Sequence, residues 1–369
     1  MATQDSNEIP VSQLLAAAYV IPTSSPESDG TLAWDSTTLV VVEISAGGEK
    51  GLGYTYADQA IVELIEHKLA KIVVGSNAHS ITGTWIAMVE SVRNLGRPGM
   101  ASTAIAAVDL ALWDLKAKLL GLPLVTLLGS VRETVPVYGS GGFTSYSLGQ
   151  LRDQLEGWAK AGISRVKMKV GRERAKDLDR VKSARQAIGP DVQLFVDANG
   201  AYNRKQALDL AERFCGEARV VWFEEPVSSD DLEGLRLLRD RGPAGMDIAA
   251  GEYGYDSYCF RRMLEAGAVD VLQADATRCM GITGFMQVGA LCDAFGLPFS
   301  AHTAPSIHLQ PCCAIGRACH LEYFHDHVRI ERMLFDGVVT PVNGTLRPDL
   351  SRPGLGIEFK HADARKFAV

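Results

Sequence analysis

Two lysines separated by a single residue, Lys167 and Lys169 in the stretch VKMKVG, are the first side chains with the means to do chemistry. Side chains alternate faces along a strand, so Val166, Met168 and Val170 share one face and the lysines share the other. If that face points into a protein interior, neither ammonium can be idle, because a buried unpaired charge is costly. An edge strand with a wet face is the plainer alternative. Further along, a series of short apolar runs ends in ionisable residues: Asp197 in VQLFVDANG, Glu224 and Glu225 in VVWFEEP, Glu252 in DIAAGE, Asp275 in VDVLQAD, His302 in PFSAHT and Glu322 in CHLEYF. One aspartate at a strand end is more often a helix N-cap than a ligand. A whole succession of such ends is not all caps.

Asp197, Glu224 and Glu252 fall on consecutive runs. Three converging carboxylates without a cation would repel one another and take up protons. A hard divalent ion resolves this, and all-oxygen ligation with room for water and substrate suits Mg²⁺ better than Zn²⁺. WFEEP offers two glutamates, and strand alternation alone does not say which one joins the other ligands. His302, with Asp275 on the neighbouring run, is a dyad candidate in which the carboxylate fixes the imidazole tautomer and supports the imidazolium. A lone histidine in an apolar segment is otherwise structural. His325 and His327 in YFHDHV read as surface residues of a following loop. Asn199 and Arg278 sit beside strand ends, and Arg278 is read as the partner of a carboxylate.

Positioning these groups takes a regular scaffold. From about residue 135 onward, β-type runs at 135–142, 164–171, 192–200, 220–226, 247–252, 269–275, 298–303 and 319–324 alternate with helical patterns. Among the latter, Leu148, Leu151, Leu155 and Trp158 recur at helix spacing, as do Leu208, Ala211 and Phe214. Alternation of this kind predicts parallel βα units, and eight of them close into a barrel whose chemistry sits at the C-terminal strand ends. A doubly wound open sheet is the alternative. The first 130 residues differ: 12–21, 37–45 and 50–55 read as an antiparallel meander with GGEKG as a turn, followed by helices ending in STAIAAVDLALWDLKAKLLG. The expected organisation is an α+β domain over 1–130, a barrel over 131–335, and a Pro/Gly-rich tail over 336–369 packing back on the first domain.

Bulk properties narrow the function classes. The chain has 369 residues, 47% hydrophobic and 22% charged, an ordinary globular composition. A net charge of −7 without a long basic run speaks against nucleic acid as a partner. Seven scattered cysteines without CxxC spacing predict reduced core thiols rather than disulfides or zinc. The start MATQDSNEIPVSQLLAAAYVIPT lacks a basic leader region, and no apolar run approaches the roughly 18 residues of a membrane span. A cytoplasmic location and a homo-oligomer are expected.

In their order and spacing, VKMKVG, FVDANG, WFEEP, AAGE, QADATRCMGITG, SAHT and HLEYF, with ASTAIAAVDLALWDLKAKLLGLPLVTLLG before them, resemble the mandelate racemase branch of the enolase superfamily. The resemblance covers essentially the full length. It implies a modified (β/α)7β barrel, a capping domain whose loops cover the barrel mouth, and Mg²⁺ on Asp197, Glu224 and Glu252. It further implies Lys169 as the base facing the substrate α-carbon, with Lys167 beside the substrate carboxylate lowering the proton affinity of Lys169. Glu322 matches the family's hydrogen-bond donor to that carboxylate, acting protonated, and Asn199 a position near the substrate. The muconate-lactonizing branch carries a lysine where Asp275 stands, so the racemase-like branch is favoured.

The implied common step is removal of the proton α to a carboxylate to give an enediolate. If His302 then protonates a β-hydroxyl, a polyhydroxylated mono- or diacid becomes a 2-keto-3-deoxy acid. If it returns a proton to the α-carbon, the enzyme is a racemase or epimerase of a 2-hydroxy acid. A non-catalytic carboxylate-binding barrel is the remote alternative, whose mark, a missing ligand or base, is not present. Substrate choice is expected in IPTSSPESDGTLAWDST and GLGYTYAD, with Trp34 and Tyr54 as contacts, although such polar composition is also that of any exposed loop.

Overall fold

The computed structural model describes residues 8–369; residues 1–7, where the segment read as lacking a basic leader begins, lie outside the described residues. The N-terminal domain is built on an antiparallel sheet of β1 (Gln13–Ser28), β2 (Ala33–Ala46) and β3 (Glu49–Tyr56), in that order. Both β1 and β2 run well beyond the predicted meander, so most of IPTSSPESDGTLAWDST is hairpin rather than loop. Pro22 and Pro26 cannot donate to a ladder, and the pairing of β1 with β2 shifts register between Pro22 and Glu27. As an edge strand, β1 tolerates this.

The helix Met100–Leu119 packs across β3. A β-carbon on Gly53 would come within 2.1 Å of the Ala107 carbonyl, so the glycine lets strand and helix backbones meet. Gly53→Ala is therefore expected to destabilise the fold by roughly 1–3 kcal/mol; an unchanged denaturant midpoint would show that this contact is dispensable. Buried Asp114, on the same helix, accepts from Leu52 N at 2.7 Å and Leu355 N at 2.6 Å and pairs with Lys118, joining helix, sheet and tail.

Eight parallel strands form the barrel: β4 (Val135–Gly141), β5 (Arg165–Lys169), β6 (Gln193–Asp197), β7 (Val220–Glu224), β8 (Asp247–Ala250), β9 (Val271–Ala274), β10 (Phe299–Ala301) and β11 (Ala318–Phe324). Each pairs with the next, and β11 closes on β4. Connecting helices bury an apolar stripe, and two of them start with capping boxes, Ser147 with Gln150 and Asn203 with Gln206. Leu151 and Leu155 face the core, whereas Leu148, at the helix start, stays exposed.

Inside the barrel, inward-pointing residues two apart make two layers. The lower layer is aromatic: Tyr138, Phe195, Trp222 and His320, with Phe195 stacked on Trp222 at 5.0 Å. The upper layer, two residues further along the same strands, is Ser140, Asp197, Glu224 and Glu322. A packed aromatic floor thus lies directly beneath a ring of charge.

The tail reaches both domains. Thr345–Leu346 pairs antiparallel with β4, while Phe359 packs on Tyr19 at 5.2 Å and Val369 N donates to Ala18 O. All seven cysteines are free thiols, four of them buried. Among the described residues, no helix is long and apolar enough to cross a membrane.

Candidate active site

The strand-end carboxylates converge as the sequence predicts. One oxygen from each of Asp197, Glu224 and Glu252 lies within 4.8 Å of the others, and all three residues are buried. Register resolves the choice within WFEEP: Trp222 belongs to the inner aromatic layer, so Glu224 points inward with it. Glu252 Oε2 is buried without a hydrogen-bond partner, with His302 Nε2 3.2 Å away. Three anionic oxygens at this spacing, one of them orphaned, fit a hard divalent ion such as Mg²⁺.

Both lysines enter this ring, so the edge-strand alternative falls. Lys167 is fully buried, 2.5 Å from Glu224 Oε1, 2.8 Å from Glu322 Oε1 and 3.4 Å from Asp197 Oδ2. Burial alone would lower its proton affinity, yet Glu224 and Glu322 outweigh that and hold it firmly protonated. Lys169 Nζ donates to Asp197 Oδ2 at 2.5 Å and Asn199 Oδ1 at 3.1 Å. Burial and Lys167 both depress its proton affinity, the second with the sign expected from sequence. Asp197, Glu252 and Glu224 more than reverse the effect, and Lys169 is held above the usual lysine range. The expectation of a net lowering is corrected accordingly. Lys169 becomes a base only when the charge of Asp197 is drawn elsewhere, as a cation on the triad would do.

Glu322 also differs from expectation. It accepts from Ser140 Oγ at 2.5 Å and Thr303 N at 3.1 Å besides facing Lys167. Burial raises a carboxyl, but Lys167 and His302 overcome this and hold Glu322 well below the carboxylate range, ionised rather than protonated.

The dyad forms. His302 Nδ1 lies 2.9 Å from Asp275 Oδ2, and Asp275 Oδ1 accepts from Thr277 N and Oγ1, both at 2.7 Å. Against burial, Glu252 and Asp275 push the imidazole up to about 9, so His302 is a charged proton donor at neutral pH. Behind it, fully buried His308 donates from Nδ1 to Thr303 O at 2.8 Å and accepts at Nε2 from Ala276 N at 2.7 Å. It pins together the loops that carry Asp275 and His302. Arg278 bridges Glu252 and Asp275 at 3.6 and 3.7 Å. Asn199, Glu225, Thr303 and Ala304 all adopt positive φ. Such strain at non-glycine residues, directly after the strand ends, is characteristic of sites held by their surroundings.

These groups open into a cavity of about 410 Å³ between barrel and cap, lined by Lys169, Asn199, Glu252, His302 and Glu322 from the barrel and by Trp34 from the cap. Gly30 seats the β1–β2 hairpin on the barrel: a β-carbon there would stand 2.4 Å from Ala198 O and 2.7 Å from Val170 O. Trp34 donates from its indole to Glu27 Oε2 at 2.9 Å. Tyr54, expected as a substrate contact, is fully buried, with its hydroxyl 2.6 Å from Glu331 Oε1 and outside the cavity wall. Tyr56, two residues on in the same GLGYTYAD stretch, lines the wall instead. His327 is likewise not a surface residue; it lies on the helix His325–Leu334, lines the cavity and stacks on Tyr56 at 3.5 Å, while His325 is half-buried.

Comparison with known proteins agrees with this geometry. Residues 18–129 match the mandelate racemase/muconate lactonizing enzyme N-terminal domain, and residues 150–364 the enolase C-terminal domain-like model. A solved mandelate racemase/muconate lactonizing enzyme-like protein from Rubrobacter xylanophilus is 57% identical, covering 98% of this chain and 100% of the other, with a TM-score of 0.96. The 3,6-anhydro-alpha-L-galactonate cycloisomerase of Streptomyces coelicolor is 31% identical over 95% of this chain and 97% of its own length. The L-talarate/galactarate dehydratase of Salmonella typhimurium is 31% identical over 82% of this chain and 79% of its own length. Its structure liganded with Mg and L-lyxarohydroxamate, aligned over 100% of this chain and 96% of the other at 28% identity, gives a TM-score of 0.90.

Proposed function

The chain belongs to the mandelate racemase/muconate lactonizing enzyme family of the enolase superfamily, and from that premise we propose that it dehydrates a sugar acid to a 2-keto-3-deoxy acid. The observation that carries this reading is the placement of Lys169 and His302, from β5 and β10, on one cavity that also exposes Glu252 and Glu322. A divalent cation such as Mg²⁺, held by Asp197, Glu224 and Glu252, would polarise the substrate carboxylate and acidify the proton beside it.

Neutral Lys169 takes the α-proton onto Nζ, with Asn199 Oδ1 orienting the amine. The C–H electron pair passes into the enediolate, whose oxygen charge is offset through space by the buried ammonium of Lys167, braced by Glu322 at 2.8 Å. His302 donates its Nε2 proton to the β-hydroxyl as the Cβ–O bond breaks, releasing water, and the resulting enol tautomerises to the 2-keto acid. Asp275 accepts the Nδ1 proton of the imidazolium, which leaves the proton on Nε2 as the one exchanged with the cavity. Dehydratases among the relatives at about this level of identity support the choice.

The same two groups also permit 1,1-proton transfer, in which His302 reprotonates the α-carbon from the other face. Incubating aldonic and aldaric acids with the Mg²⁺-supplemented protein separates the two. A 2-keto acid should appear from at least one of them. Epimerisation or α-proton exchange throughout the panel, with no 2-keto acid from any member, would sink the dehydration reading in favour of racemisation.

A further inference from the structure

A sugar-acid substrate has a second end, away from the reacting carboxylate, and the cavity wall on the cap side has a distinct chemistry there. Ser36 and Thr38 supply hydroxyls, Tyr56 a ring, and Asp29 and Asp58 are the charges; among the described residues, no lysine or arginine of the cap lines the cavity. Residues 1–7 contain neither type. The Tyr56 oxygen is buried without a hydrogen-bond partner, while its ring is fixed against His327. Burial, with the nearby Glu331 carboxylate, holds the Tyr56 phenol well above its ordinary range, so it remains a neutral donor. Burial holds His327 down to about 3, so it brings no positive charge to the wall.

Every cation on the barrel side already faces carboxylates. Lys169 pairs with Asp197 and His302 with Asp275. Arg278 donates to Glu252 O at 3.1 Å and lies 3.6 and 3.7 Å from the Glu252 and Asp275 carboxylates. A second carboxylate on the substrate would meet hydroxyls and two aspartates, with no unshared cation to offset its desolvation.

We infer that this cavity selects a monocarboxylic sugar acid, an aldonate, over the dicarboxylic aldarate of the same length, because the far end of the substrate meets hydroxyls and aspartates. The inference rests on the sugar-acid reading above and narrows it to one substrate class.

Calorimetric titration of the full chain in Mg²⁺ with hexonates (gluconate, galactonate, mannonate) and the matching hexarates reads binding separately from turnover. At least one hexonate should bind about tenfold or more tightly than its hexarate counterpart, with no pair reversed. Hexarates binding as tightly as hexonates, or neither class binding, would overturn the inference. Ser36→Arg, which places a cation on the cap wall, should shift the preference toward the hexarate by about tenfold. A folded Ser36→Arg protein with the wild-type preference would overturn the assignment of this wall to the far end, and the wild-type comparison decides the matter if that variant does not fold. Hexonates that bind selectively yet never yield a 2-keto acid would leave this selectivity standing and count against dehydration alone.

Discussion

Glu252→Gln is expected to lower turnover by roughly 10²–10⁴-fold, the equivalent of several kcal/mol of charge stabilisation at about 1.36 kcal/mol per tenfold. Two effects act in the same direction. The amide removes one of three negative charges from a site whose affinity for a divalent ion comes from those charges, and it places a neutral group where Oε2 stands buried and unpartnered. It also removes the largest contribution raising the proton affinity of His302, so less imidazolium is available as proton donor. The fold should survive, because Arg278 still donates to the backbone oxygen of residue 252 and β8 keeps its pairing with β7 and β9. The measurement is activity against Mg²⁺ concentration, with thermal unfolding as the control. Wild-type activity in this variant, or in wild-type protein after thorough chelation, would exclude a cation on Glu252 from catalysis.

The barrel and the identity of its strand-end groups were readable in the chain because both follow from a period of two. Asp197, Glu224 and Glu322 each stand two residues beyond Phe195, Trp222 and His320, so the aromatic floor and the charged ring are one pattern. That pattern also separates Glu224 from Glu225, once register shows Trp222 to be inward. The cap was less readable. Tyr54 and Tyr56 share a strand face by parity, and which of them reaches the cavity depends on how far the hairpin leans over the barrel, a matter settled by contacts such as Gly30 against Ala198 and Val170. His327 read as surface because YFHDHV is polar, yet its helix turns that ring inward onto Tyr56. Proton affinities were the least readable of all. The mutual repulsion of two lysines can be foreseen from KMK, but a carboxylate 2.5 Å from Lys169 outweighs it, and distances of that kind arise only from the closed barrel.

The division of labour between the two bases yields the other large effect. Lys169 and His302 project from β5 and β10, on different sides of the three strands that carry the triad, and both line the cavity. They should therefore meet opposite faces of the substrate α-carbon. With Lys169 as the base, Lys169→Ala should abolish dehydration and solvent exchange of the α-proton together, each by on the order of 10³-fold or more. His302→Asn should block dehydration to a similar degree while exchange through Lys169 continues, since the enediolate still forms and only the β-hydroxyl lacks its proton. Asp275→Asn should fall between these, because its amide nitrogen can no longer accept from Nδ1 and the imidazole loses both its tautomer and its counter-charge. The readout is α-proton exchange in ²H₂O by NMR, run beside 2-keto acid formation on the same substrate. Exchange that survives in Lys169→Ala and disappears in His302→Asn would reverse the assignment, making His302 the base and leaving Lys169 as the group that meets the departing oxygen.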